Sequence, residues 1–158
     1  MTSNKKVAEL VKYIISTYNE ITKRKISRQK LRNIIFLIDM DYFKDNKKTI
    51  TDLTYLKDVF GVIAIDSNRK DAVRHIVRTN DDINEDSEIF LGIPRFYYSC
   101  KSPKYEFLGD DELECANNII SKVAKLTHRE FCNIIQNDIT RKATSMYSVI
   151  DPYLVFYR

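Results

Sequence analysis

The chain of 158 residues has no tryptophan and only three glycines, three prolines, three cysteines and two histidines. So few glycines and prolines exclude collagen-like chains and disordered chains rich in these residues, and they argue against a fold with many tight turns. No apolar run approaches the roughly 18 residues that a membrane span requires, and the N-terminus lacks the apolar block of a signal peptide. We therefore expect a soluble, cytoplasmic protein with no membrane contact.

Cysteine and histidine are too few and too widely spaced for a zinc site. Cys100, Cys115 and Cys132 lie 15 and 17 residues apart, so there is no C-x-x-C pair, and any disulfide scheme leaves one thiol unpaired. Structural zinc needs about four ligands at short, paired spacings, which His75 and His128 do not complete. We expect reduced thiols, no metal and no cofactor.

No pattern typical of catalysis is present. The chain has no glycine-rich phosphate loop, and solvation of helices and loops explains its pairs of neighbouring aspartates. His128 precedes Cys132 by four residues, which places both on one helix face, but apolar neighbours predict a buried structural thiol at Cys132. We expect a binding protein that is not an enzyme. An unrecognised hydrolase or transferase that uses His128 or a carboxylate is an alternative.

The net charge of +4 hides an uneven distribution. Residues 1–57 hold 13 Lys and Arg against 6 Asp and Glu, whereas residues 58–158 hold 13 against 16. The basic run consists of Lys23, Arg24, Lys25, Arg28, Lys30 and Arg32, and the acidic run of Asp81, Asp82, Glu85, Asp86 and Glu88. The basic run fits a surface that contacts phosphates or an acidic protein, and it equally fits a solvated loop and helix face. No aromatic residue interrupts residues 22–33, so the stacking element of a single-strand binder is missing there.

Apolar residues recur every three or four positions in five segments, which predicts five helices: residues 5–19, 28–44, 68–79, 110–125 and 128–137. Ser27 is predicted to cap the second helix and Asp66 or Ser67 the third. Thr127 and Glu130 form a capping box for the fifth helix. The second helix is apolar on nearly all sides, which predicts a central position.

Aromatic and β-branched residues between the helices predict short strands. One strand is expected over residues 52–57, with an extended stretch at 60–65, and a hairpin over 88–91 and 95–100 around residues 92–94. The acidic residues 80–88 are predicted to form a loop, and the apolar residues 140–158 to pack on the core. Together these patterns predict a single domain over residues 1–158 with an α+β, mostly α-helical fold of about five helices and a small antiparallel β-sheet or hairpin.

Four segments in order resemble the motifs of Panacea-domain proteins, the SocA-like antitoxin family. Residues 30–39, K-L-R-N-I-I-F-L-I-D, resemble that family's K-L-Q-K-L-L-Y-L-A-D, and residues 54–61, T-Y-L-K-D-V-F-G, resemble its T-Y-x-K-x-x-Y-G. Residues 107–113 resemble its F-S-x-x-E-L helix start, and residues 126–128 its Leu-Ser-His motif. The order and spacing fit from about residue 5 to residue 151. The chain departs from the family in three places: Val62 replaces a proline, Arg32 and Asn33 replace a Gln-Lys pair, and a Trp is missing.

The resemblance implies a helical domain with a small antiparallel sheet and no catalysis. It also implies an antitoxin, often encoded in a prophage or mobile element, that neutralises a cognate toxin by direct binding. The retained apolar positions and altered polar ones point to the same fold with a changed partner, such as a host regulatory protein. The alternative function is a nucleic-acid-binding regulator that uses the basic run. Neither the partner nor the oligomeric state follows from the residues.

The resemblance indicates five partner contacts: Tyr55, Lys57, Phe60, Gly61 and His128. A purely structural role is an alternative for most of them. Tyr55 and Phe60 also fit ordinary core or sheet positions, and Gly61 fits a turn that needs a positive φ. His128 also fits a helix start at which it hydrogen-bonds a neighbouring loop.

Overall fold

A computed structural model describes residues 4–158. Its helices are α1 (Asn4–Thr22), α2 (Arg28–Asn46), α3 (Ala72–Thr79), α4 (Asp110–Val123), α5 (His128–Asn137) and α6 (Ile139–Lys142), followed by a 3₁₀ helix (Pro152–Tyr157). Its strands are β1 (Ile26–Ser27), β2 (Thr54–Asp58), β3 (Gly61–Ile65), β4 (Ile83–Phe90) and β5 (Ile93–Cys100). β2 and β3 form one antiparallel sheet, and the other has the order β1-β5-β4. The predicted α+β, mostly helical fold is confirmed. Within residues 4–158, no helix combines the length and apolar character needed to cross a membrane.

Helix α2 lies at the centre of the fold, as predicted. It contacts α1, α4, β3 and the 3₁₀ helix, and its side chains from Leu31 to Phe43 are almost all buried. The Ser27 side chain accepts a hydrogen bond from the Lys30 N–H at 3.2 Å, which confirms the predicted cap. The helix ends where Lys47 adopts a left-handed conformation with φ of 55°.

Two other helix starts show how local hydrogen bonds decide the boundary. The capping box at Thr127 and Glu130 is present, so α5 has the predicted bounds. The predicted start of α3 is wrong, because Asp66 Oδ1 accepts the N–H groups of residues 68 and 70 and closes a turn instead. Asp71 caps α3 through the Arg74 N–H, so the helix begins at Ala72.

The acidic segment predicted as a loop is largely a strand. β4 pairs with β5 along its whole length, from Ile83 opposite Cys100 to Phe90 opposite Ile93. The turn consists of Leu91 and Gly92 alone, with φ values of 51° and 77°, which is the pattern of a type I′ hairpin. Residues 84–95 are all exposed, so this strand has no buried face to produce an apolar alternation in the sequence.

The C-terminal segment packs on the core, as its apolar composition predicted. Residues 147–150 run beside β2, where the Lys57 N–H donates to Ser148 O at 3.0 Å and the Ile150 N–H to Tyr55 O at 2.8 Å. Ile150 and Val155 are buried. This segment therefore extends the β2–β3 sheet and covers one side of α2.

Candidate functional site

The β2–β3 turn presents apolar side chains to solvent. Val59 and Phe60 form its tip, and Phe60 is 72% exposed. Met146 and Tyr147, also exposed, lie at the same end of the sheet, because the Tyr147 N–H donates to Lys57 O at 2.9 Å. We call Val59, Phe60, Met146 and Tyr147 the turn surface. Grouped exposed apolar side chains of this kind mark interaction sites in proteins.

A buried arginine holds this turn from one side. Arg141 is 3% exposed, and its Nε donates to Gly61 O at 3.0 Å while Nη2 donates to Asp58 O at 2.7 Å. Its Nη1 donates to Gln136 Oε1 at 2.9 Å, which ties the turn to α5. Burial lowers the pKa of Arg141 from its ordinary value, and the neighbouring Asp58 opposes that change. The cation therefore serves as a multiple donor to main-chain oxygens of the turn.

Asn33 of α2 holds the turn from the other side. Its Oδ1 accepts the Val62 N–H at 3.2 Å, and its Nδ2 donates to Phe60 O at 3.4 Å. Gly61 has a φ of 144°, and a Cβ at this position would lie 2.7 Å from Asn33 Nδ2 and nearer still to Oδ1. The close approach to Asn33 and the positive φ both require glycine. This is the structural role that the sequence offered as an alternative to a partner contact at Gly61.

The five expected partner contacts do not form one exposed cluster. Phe60 and Gly61 belong to the β2–β3 turn, and the half-buried Lys57 donates through Nζ to Thr144 O at 2.9 Å. Tyr55 is 2% exposed, so the expectation that its ring contacts a partner is corrected: the ring lies in the core. His128 is exposed at the start of α5, about 12 Å along the helix axis from Gln136.

Tyr55 belongs to a buried hydrogen-bond network centred on Asp39. The Tyr55 hydroxyl donates to Asp39 Oδ2 at 2.5 Å, and the Thr51 hydroxyl donates to the same oxygen. The N–H groups of Ile50 and Thr51 donate to Oδ1 at 2.9 and 3.3 Å. Burial raises the pKa of Asp39 to about 6, although these four donors pull it down. The network joins α2 to β2 and to the segment between them.

The basic run is largely paired within the fold. Lys25 forms an ion pair with Asp86, and Arg28 lies 3.3 Å from Glu85 through Nη2. The Arg28 guanidinium also lies 4.1 Å above the centre of the Phe96 ring. Two further residues of the basic run have polar partners: Arg32 pairs with Asp71, and Lys30 contacts the Tyr18 hydroxyl. Asp82 of the acidic run pairs with Lys12 of α1. Within residues 4–158, only Lys23 and Arg24 of the basic run have side chains without a polar partner.

A second exposed apolar surface lies at the end of the β4–β5 hairpin. We call Ile89, Phe90, Leu91 and Ile93 the hairpin tip; Leu91 is 86% and Ile89 79% exposed. The Arg95 guanidinium lies 4.6 Å from the centre of the Phe90 ring and supports it. Sequence reasoning identified a hairpin here but missed the surface. The available signal was the segment I-F-L-G-I-P, residues 89–94, in which large apolar residues surround the turn glycine. Turns normally carry glycine, proline and small polar residues instead.

The possible metal ligands and the thiols of the described residues can be assessed from their positions and burial. Within residues 4–158, no group of three or more His, Cys, Asp and Glu side chains is placed to hold a metal ion. Burial raises the pKa of Cys100 to about 11 and of Cys115 to about 12, so both are thiols at neutral pH. Cys132 is half-buried, less than predicted, and its Sγ lies 3.5 Å from His128 Nε2.

An open cavity of about 390 Å³ lies at the C-terminal end of α2. The residues that line it include the apolar Phe43, Leu53 and Ile150 and the basic Lys47 and Lys48. No histidine or cysteine lines it. Its polar lining includes Thr49 and Asp52, and the Asp52 N–H donates to Thr49 Oγ1 at 3.0 Å.

No family model, curated protein or solved structure matches the chain.

Proposed function

We propose that this chain is a non-enzymatic, protein-binding regulator that acts as an antitoxin does, by direct contact with a cognate toxin or a host regulatory protein. The observation that supports this most is Phe60, an exposed aromatic side chain on a turn whose backbone is held by the buried Asn33 and Arg141. A rigidly presented aromatic residue loses little conformational entropy on binding, and such residues dominate the affinity of protein interfaces.

The resemblance to Panacea-domain antitoxins supports the same proposal. The two best-resembling segments, residues 30–39 and 54–61, contact one another through the Tyr55–Asp39 hydrogen bond and the bond from Asn33 Nδ2 to Phe60 O. These segments therefore act as one unit, in which α2 positions the turn that carries Phe60. Cytoplasmic location and a prophage or mobile-element origin belong to this proposal.

The alternative, a nucleic-acid-binding regulator, finds less support in the geometry. Phosphate contacts by Lys25, Arg28 or Arg32 would compete with the ion pairs that these residues form with Asp86, Glu85 and Asp71. Only Lys23 and Arg24 remain as exposed cations of the run without a polar partner within residues 4–158.

Co-expression with the product of the neighbouring gene tests the proposal. Wild-type protein should bind that product and relieve its toxicity, and Phe60→Ser should weaken the affinity about 30-fold, as the loss of an aromatic anchor does. Ile21→Ser removes an exposed apolar residue of α1 outside the turn surface and should leave the affinity unchanged. Failure of the wild-type protein to bind or neutralise the product, or normal binding by Phe60→Ser, would contradict the proposal.

A further inference from the structure

The β4–β5 hairpin has a strand edge whose hydrogen-bonding groups can be assigned from the register. A two-residue turn makes Phe90 and Ile93 a hydrogen-bonded pair, and such pairs alternate with non-bonded ones along an antiparallel ladder. The N–H and C=O groups of Glu85, Ser87 and Ile89 therefore point away from β5.

Two hydrogen bonds at the base of the hairpin agree with this assignment. Ile83 and Cys100 form a non-bonded pair in the same register, so their N–H groups should also point outward. The Ile83 N–H donates to Asn80 O at 3.1 Å, and the Cys100 N–H donates to Asn19 Oδ1 at 3.3 Å. Both lie outside the β4–β5 ladder, as the register requires.

The two edges of the hairpin differ in what they can accept. On β5, β1 pairs with residues 97 and 98, and Pro94 occupies an outward position without an N–H group. β4 has no neighbouring strand on its outer side within residues 4–158, and its residues 84–90 are all exposed. An added strand would therefore pair with β4, where Glu85, Ser87 and Ile89 offer three N–H and three C=O groups.

The charges along β4 indicate which side chains an added strand should carry. Of the carboxylates along this edge, Asp86 pairs with Lys25 and Glu85 with Arg28, whereas Glu88 accepts the Tyr97 hydroxyl at 2.9 Å and forms no ion pair within residues 4–158. Pairing of two β4 strands from two copies would bring further carboxylates to this edge. The same carboxylates would be repelled by anionic lipid headgroups. A strand that carries lysine or arginine gains favourable cross-strand pairs instead. The exposed carboxylate of Glu88, which has no cationic partner to displace within residues 4–158, is the main source of these pairs.

We propose that the free edge of β4 binds an extended, basic segment of a protein partner by strand addition, while the hairpin tip contacts an apolar surface of that partner. Main-chain hydrogen bonds to Glu85, Ser87 and Ile89 supply the affinity, and the carboxylates supply the preference for cations. The inference depends on the proposed function only in that the partner is a protein, because this edge is separate from the turn surface.

A synthetic peptide tests strand addition directly. The probe is an eight-residue peptide that alternates lysine with valine, and the control replaces lysine with glutamate. On titration into the full-length, ¹⁵N-labelled protein, the amide resonances of Glu85, Ser87 and Ile89 should shift more than those of their strand neighbours. Raising NaCl from about 25 to about 300 mM should weaken the affinity several-fold.

Two substitutions of one residue separate the edge from the hairpin. Ser87→Pro removes an outward N–H, as Pro94 does on β5, and should weaken the affinity about tenfold or more while the ladder remains. Ser87→Thr keeps the N–H and should bind within about twofold of wild type. If Ser87→Pro disrupts the hairpin, Glu88→Lys decides: it should weaken binding of the lysine peptide and strengthen binding of the glutamate peptide.

Four outcomes would overturn the inference. The first two are the absence of amide shifts with the lysine peptide and equal binding of the lysine and glutamate peptides. The third is self-association, measured by sedimentation, that Ser87→Pro abolishes. The fourth is sedimentation together with phosphatidylserine vesicles that Leu91→Asp abolishes. None of them changes the Phe60→Ser comparison, so failure of this inference is distinguishable from failure of the proposed function.

Discussion

Replacing Gly61 by alanine tests whether the β2–β3 turn is held as tightly as its contacts indicate. Gly61 begins β3 with a φ of 144°, a value that residues with a Cβ rarely adopt. The new methyl group would lie 2.7 Å from Asn33 Nδ2 and nearer still to Oδ1, so one of the two residues must move. Since Asn33 Oδ1 accepts the Val62 N–H, movement of Asn33 leaves a buried donor without its partner.

The expected loss follows from these two effects. A non-glycine residue at such a φ costs about 1–3 kcal/mol, and an unsatisfied buried N–H costs about 1–3 kcal/mol. Together they should lower the free energy of unfolding by about 3 kcal/mol or more. Gly92→Ala is the matched control, because Gly92 also has a positive φ of 77° but nothing lies within 4 Å of the added Cβ. Its cost should be about 1 kcal/mol, from backbone strain alone.

Thermal and urea unfolding measure the difference. For a chain of this length, 1 kcal/mol corresponds to about 2–4 °C, so Gly61→Ala should melt about 6–12 °C below wild type and Gly92→Ala about 2–4 °C below it. The midpoint in urea should fall in the same order, with an unchanged slope. Equal melting temperatures for the two variants would refute the reasoning, because both place a Cβ at a positive φ but only Gly61→Ala adds the clash with Asn33.

Three further predictions concern titration and charge. Burial raises the pKa of Asp39 to about 6, so between pH 4 and 6 the contribution of this group to the free energy of unfolding should fall as the pH rises, because the folded chain keeps a proton that the unfolded chain has released. Urea titrations should show that Asp39→Asn removes on the order of 3 kcal/mol of this dependence, and an unchanged profile would contradict the assignment. Cys100 and Cys115, whose pKa values burial raises to about 11 and about 12, should resist iodoacetamide at pH 8 until urea unfolds the chain, as mass spectrometry of the labelled peptides would show. Duplex DNA should not be retained in a mobility-shift assay at about 150 mM salt, and retention that Lys23→Gln with Arg24→Gln abolishes would favour the nucleic-acid alternative.

Local sequence patterns predicted the helix bounds correctly where the interaction that sets them lies within a few residues. The apolar spacing of α2 and the cap at Ser27 predicted both its start and its central position. The capping box at Thr127 and Glu130 predicted the bounds of α5, because both hydrogen bonds of that motif join residues three apart. The start of α3 was mispredicted, since Asp66, Ser67 and Asp71 are all suitable caps and the turn at Asp66 selected Asp71.

The candidate site depended more on distant contacts. Phe60 and Gly61 were predicted in an extended stretch, with a turn as the structural alternative for Gly61 alone. Nothing near them in the chain indicates that Arg141, 80 residues away, donates to Gly61 O. Tyr55 was predicted as a contact from the resemblance, and the structure buries it because its hydroxyl donates to Asp39 on another element. The hairpin tip was missed because a strand exposed on both faces has no periodic pattern.

The sequence by itself determined the class of the fold, most helix bounds and the unequal distribution of charge, since these follow from composition, spacing and short-range hydrogen bonds. Only the tertiary structure decided that the basic and acidic runs neutralise one another, with Lys25 against Asp86 and Arg28 against Glu85. The physical reason is that β1 and β4 flank β5 in one sheet, so residues about 60 positions apart become cross-sheet neighbours. The same pairing leaves the outer edge of β4 and the hairpin tip open to a partner.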